Sequence, residues 1–153
     1  MNAPRPCTEW RPCAQPRARA PPLFVMFMRF VLPLTHWRSN RATGIFHGVY
    51  QLYEQGRFAE GDAGWLCEEI DWFNRYLPAP RTPPDWRAVF WFRPDAGEAI
   101  TRIWTFVRLA EGSGVPVHIY RTRRPGTVVY SDEYQIAAIP WRDTFAERAH
   151  SRA

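Results

Sequence analysis

The sequence predicts an α+β fold in one domain, a mixed four-stranded sheet with helices packed mainly on one face. Three observations carry this. An apolar run of strand length, Leu23 to Leu32 (LFVMFMRFVL), opens the body of the chain. Three later segments space their apolar residues as helices do. Two short alternating segments then flank a Pro-Gly pair near the end. With 153 residues, the chain falls within the range of one domain and can bury a core without disulfides or metal.

Taken in order, Leu23 to Leu32 is dense in Phe and Val and stops before Pro33, as a buried central strand would. His36 to Thr43 is polar and reads as a loop. From Gly44 to Gln55, Ile45, Phe46, Val49, Leu52 and Tyr53 recur at helical spacing, and Gly56 suits the C-terminal stop. A second helix spans Glu60 to Tyr76, with Trp65, Leu66, Ile70, Phe73 and Leu77 on its apolar face. Glu68, Glu69, Asp71 and Arg75 line its outer face, and its early acidic residues suit the helix dipole.

Four Pro between Pro78 and Pro84 demand an extended connector. Ala88 to Phe92 (AVFWF) reads as a short buried strand. Asp95 and Glu98 have capping-box spacing, ahead of a helix from Ala96 to Glu111 that buries Ile100, Ile103, Trp104 and Val107. That helix stops at Gly112-Ser113-Gly114. Val115 to Thr122 alternates as a strand, and Pro125-Gly126 occupies the positions a type II turn requires. Thr127 to Ile139 returns as a second strand, bent at Ser131-Asp132-Glu133. The order is β-α-α-β-α-β-β. Ala88 to Thr122 is expected to form a right-handed parallel unit, and the following hairpin to add an antiparallel neighbour.

Residues 1–22 hold six Pro, four Arg and four Ala, and no Leu, Ile, Val or Phe. Such a segment cannot bury enough apolar surface to offset its ordering entropy, so a disordered leader is expected. Met26 or Met28 is the expected true start. The domain is read as residues 23–145, with a disordered tail at 146–153.

The net charge of +5 invites a nucleic-acid reading, yet every one of the 20 basic residues is Arg. Complete exclusion of Lys reads as codon bias rather than selection for a phosphate-binding surface. The leader holds four Arg against one Glu, leaving +2 across the remaining 131 residues, so nucleic acid is disfavoured as a partner. Cys7 and Cys13 have no recognised zinc spacing, and Cys67 reads as a small buried thiol. Arg29 and Pro33 interrupt the longest apolar run, which is too short to span a membrane. A reducing cytoplasm is the default compartment.

Three blocks form a set. They are Asp71-Trp72-Phe73-Asn74 with Leu77-Pro78, then Phe90-Trp91-Phe92, then Arg124 through Tyr130 (RPGTVVY) with Asp132-Glu133 and Gln135. The set resembles a group of small uncharacterised bacterial proteins of roughly 120 residues. The resemblance covers Met28 to Thr144 and implies a start near Met28. It implies no established activity, cofactor or catalytic residue.

Polar chemistry concentrates in the expected hairpin: His118, Tyr120, Arg121, Arg123, Arg124, Tyr130, Asp132, Glu133 and Gln135. Read as a ligand site, its Arg side chains would clamp an anionic group and Asp132 or Glu133 would serve as acid or base. Read structurally, the same residues form a cross-strand ion-pair ladder, the favoured alternative. Glu68, Glu69 and Asp71 lack the His that would complete a dimetal motif, so no metal site is expected. His47 reads as a surface or partly packed imidazole. Trp37, Trp86 and Trp141 each precede an Arg whose stem is expected to cover the ring. A non-catalytic binding or accessory domain, with a protein partner or a second copy, leads the functional readings. A small-molecule enzyme using the hairpin comes second, and a nucleic-acid binder third.

Overall fold

The computed structural model describes residues 26–35, 42–82 and 84–144. The expected leader, the tail, Trp37 and most of the 36–43 loop lie outside them. Strand β1 (Phe27–Thr35) is followed by β2 (Ala42–Gly44), α1 (Ile45–Glu54), α2 (Glu60–Tyr76) and β3 (Val89–Phe92). The chain then continues through α3 (Gly97–Gly112), β4 (His118–Thr122), β5 (Thr127–Ser131) and β6 (Gln135–Ile139).

Among the described residues, these six strands form one curled sheet in which every pairing is antiparallel. Apart from Arg29, β1 is apolar on both faces from Phe27 to Leu34, and such a strand belongs inside a sheet with neighbours on both edges. β4 runs along one edge, from Phe27↔Thr122 to Val31↔His118. β3 and β2 share the other edge, through Met28↔Phe92 and then Val31↔Gly44. β3 continues to β6, and β6 to β5.

Two local differences raise the expected four strands to six among the described residues, and another lengthens β1. Pro33 does not end β1, because it sits in a register shift between Leu32 and Thr35 where a missing N–H is tolerated. Residues 42–43, expected as loop, and Gly44, expected to open the first helix, pair with β1. The long last strand breaks in two at Asp132, whose carboxylate turns the chain. No parallel unit forms directly. β3 and β4 run the same way, but β1 is inserted between them, giving a split β-α-β arrangement. The expected β4–β5 hairpin is likewise replaced by β4 on β1 and β5 on β6. Gly126 still takes a positive φ of 118°. A Cβ there would collide with the Ile139 carbonyl, so the turn requires glycine.

The helices pack on one face of the sheet, against Phe30, Leu32 and Phe92. Phe46, Phe73 and Phe106 meet there with ring centroids 4.9–5.7 Å apart. Gly48 lets α1 lie directly on Leu32. α2 is tied to α3 by Arg102, which reaches Glu69 at 3.0 Å and Glu98 at 3.3 Å and lies over the Trp72 ring. The opposite face holds a second cluster of Phe27, Trp91, Ile136 and Ala138, with Tyr120 packed against it.

The predicted helix bounds match to within a residue, but three details differ. α3 has Ala96 at its N-cap and no side-chain cap; Asp95 instead accepts from Arg93 Nε at 3.4 Å. Trp65 and Trp104, expected on buried helix faces, are 52% and 39% exposed. Cys67 is half-buried and disulfide-bonded rather than a buried thiol; Cys7 and Cys13 lie outside the described residues. Among the described residues, no helix is long and apolar enough to cross a membrane.

Candidate functional site

β1 and β3 exchange one residue pair, Met28↔Phe92, before they part. On the helix side of this split lies a cavity of about 580 Å³, a volume typical of small-molecule pockets. Phe30, Phe46, Phe90 and Phe92 supply most of its aromatic wall. Leu77, Ala79 and Pro80 close it from the connector after α2, which the prolines keep extended. The Gln135 amide donates to the Pro78 carbonyl at 2.8 Å and holds that connector against β6.

Arg29 enters the split from β1. Its Nη1 donates to the Phe90 carbonyl at 3.1 Å, taking the place of a ladder hydrogen bond. Its Nη2 lies 3.9 Å from where a Cβ on Gly44 would stand. Gly44 is the N-cap of α1, which has no side-chain cap and no acidic residue in its first turn. The N-terminal end of a helix carries partial positive charge, so Arg29 and α1 present the same sign to the cavity. His47 and Arg81, both exposed, complete its basic lining, and no Asp or Glu appears among the described lining residues.

Eight of the nine residues singled out from sequence separate into two sets, the ninth, Arg124, lying against Trp141. His118, Tyr120, Arg121 and Arg123 belong to β4 and its end. The first and last two are exposed, whereas Tyr120 packs into the second cluster. Tyr130, Asp132, Glu133 and Gln135 belong to the β5–β6 turn. There Asp132, only 5% exposed, accepts from the Tyr134 N–H at 2.7 Å, the Gln135 N–H at 2.8 Å and the Tyr130 hydroxyl at 2.7 Å. Burial, then the Asp132 carboxylate, pushes the Tyr130 phenol above its ordinary range. Glu133 points outward. Because β4 and β5 do not pair, the hairpin geometry that would have joined the two sets is absent. Gln135 lines the cavity, and Tyr130 adjoins it through an edge contact with Phe90 at 6.3 Å.

No family model, curated protein or solved structure matches the chain. Function therefore rests on this geometry.

The Trp-Arg loops are locally paired. Arg124, rather than Arg142, lies over Trp141, with its guanidinium 5.4 Å from the ring centroid and 3.1 Å from Asp143. Arg87 binds Asp85 at 2.6 Å, which lowers the Asp85 carboxyl to about 2; neighbouring Trp86 is the most exposed aromatic described. A second cavity, about 530 Å³, lies between the α1–α2 loop and α3, beside Arg57, Trp65 and Arg108. No group of three or more His, Cys, Asp or Glu among the described residues is placed to hold a metal ion.

Arg29 is the residue that sequence reasoning missed as a site member. Its signal was present: one charge within an otherwise apolar run of ten residues in the sequence, Leu23 to Leu32. A charge in a buried strand must find a partner or a function.

Proposed function

We propose that the protein is a binding domain for a small ligand with an apolar body, taken up between α1, β3 and the connector after α2. The observation that carries this is the cavity itself: about 580 Å³ opening into the same aromatic cluster that joins helices to sheet. Pockets that hold small molecules are largely apolar, with a few polar groups to orient the ligand. Here Arg29 and Gln135 are those groups. Asp132, one of the two acid-base candidates from sequence, accepts three hydrogen bonds from its own turn, which supports a structural role for it and a binding rather than catalytic reading.

The test uses N-phenyl-1-naphthylamine, a neutral dye that fluoresces in apolar surroundings. Its emission should rise on mixing with the protein, and Ala88→Trp, which places an indole at the cavity wall, should abolish the rise without lowering the melting temperature. Emission that is absent in the parent protein, or unchanged in A88W, would refute the reading.

A further inference from the structure

We infer that the second cavity, between the α1–α2 loop and α3, is a separate site for a small phosphate monoester carrying a planar ring. Its volume of about 530 Å³ lies in the range of small-ligand pockets. Two guanidiniums line it, Arg57 from the loop and Arg108 from α3. Neither has a carboxylate partner among the described residues. Arg57 Nη2 donates to the Ser113 carbonyl at 2.8 Å, and Arg108 Nη2 donates to the Thr105 hydroxyl at 3.5 Å. These contacts position the two side chains and use one nitrogen of each. A guanidinium has five N–H donors, so both keep donors for a ligand.

Trp65 supplies the platform for a ring. It lies on α2 at the cavity wall, 52% exposed, with no guanidinium over it among the described residues. An exposed indole stacks on any planar ring, because every such ring presents a π-face. Deeper in the cavity, Thr105 is only 7% exposed. Its hydroxyl accepts from Arg108, and no described residue accepts the hydroxyl proton. A buried donor without an acceptor costs free energy, and a phosphate oxygen would supply the acceptor. Two guanidiniums against one carboxylate of the described lining, Asp62, leave the cavity net positive. A carboxylate ligand would satisfy one guanidinium fork. A phosphate monoester has three terminal oxygens and a charge of about −1.5 to −2 at neutral pH, enough for both.

The experiment is a calorimetric titration of the full chain with adenosine 5′-monophosphate and with adenosine, which share a ring and differ in the phosphate. The monophosphate should bind at least tenfold tighter, the factor expected of charged hydrogen bonds. That comparison needs no substitution. Arg57→Gln and Arg108→Gln should each remove most of the preference, and Trp65→Ala should weaken both ligands about fivefold or more through lost stacking. All three side chains are exposed, so the variants leave the core intact. Arg121→Gln, at an exposed arginine of β4 outside the cavity, should change nothing. Equal affinity for the two compounds, binding of neither, or unchanged affinity in W65A would overturn the inference. So would a loss in R121Q as large as in R57Q and R108Q, which would show attraction to the whole basic surface. Abolition by A88W would also overturn it, by placing the monophosphate in the phenylalanine-lined cavity. The dye experiment on that first cavity stands or falls independently of these outcomes.

Discussion

The Arg29 guanidinium donates to the Phe90 carbonyl at 3.1 Å, across the stretch where β1 and β3 have stopped pairing. One side chain thus holds open a gap in the sheet and satisfies a backbone acceptor there. Replacing it by Met keeps the stem and removes the donor. A hydrogen bond from a charged group contributes about 1.5–3 kcal/mol, less where water replaces the donor. Arg29→Met is therefore expected to lower unfolding free energy by about 1–2 kcal/mol, with an unchanged urea m-value.

Two glycines in helices should respond oppositely to Ala. Gly64 in α2 has nothing within 4 Å of its would-be Cβ, so Gly64→Ala should stabilise by about 0.5–1 kcal/mol through helix propensity. At Gly48 a Cβ would come within 2.9 Å of Leu32 Cδ2, and Leu32 is fully buried. Overpacking costs about 1–3 kcal/mol, which outweighs the propensity gain, so Gly48→Ala should destabilise. Thermal melts of the two variants would settle the signs.

Asp132 builds the turn between β5 and β6. Its loss in Asp132→Ala leaves one buried and one part-buried N–H group and a phenol without their acceptor, and about 2–4 kcal/mol of stability should go. Denaturant titration measures this, and a cost under about 0.5 kcal/mol, the scatter of ordinary surface substitutions, would contradict the role.

Tyr130 supplies a pH signature. Its folded value lies above the ordinary 10.0, so the folded state holds the phenolic proton more tightly than the unfolded chain. The associated stability is fully present below pH 10 and is lost as pH rises through the higher folded value. Tyr134 shifts in the same direction, chiefly by burial. Unfolding free energy should therefore fall above pH 10, and Tyr130→Phe should flatten part of that fall while leaving Tyr134's share.

The second cluster is small, so each member should count heavily. Phe27 is 3% exposed against Trp91, Ile136 and Ala138. Phe27→Ala should cost about 3 kcal/mol, whereas Ala at the adjoining exposed Met26 should be nearly neutral. Paired urea curves would show whether the face opposite the helices contributes to stability as packed here.

Helices were legible in the sequence because their evidence is local. Leu66, Ile70 and Phe73 share one face at helical spacing, and Gly56 and Gly114 mark stops with positive φ. Strand partners were not, since alternation in Val117, Ile119 and Tyr120 tells which face each residue takes but not which edge the strand joins. The choice of β1 over β5 as the partner of β4 depends on an apolar strand about ninety residues earlier. The Asp95 cap failed because spacing alone does not show that Arg93 stands closer to its carboxylate. The cavity was illegible for the same reason as the strand order: Arg29, Gly44, Leu77 and Phe90 meet only once the sheet has split.

The placement of β1 also bears on how the chain is made. Its edge partner Phe27↔Thr122 joins residues 95 apart in sequence, and ribosomes add about 5–20 residues per second. The greasiest strand therefore emerges first and waits on the order of ten seconds for the neighbour that covers it. During that interval the nascent chain would offer a Phe-rich segment to holdase chaperones, and translation speed rather than final stability would govern how much product reaches the native sheet.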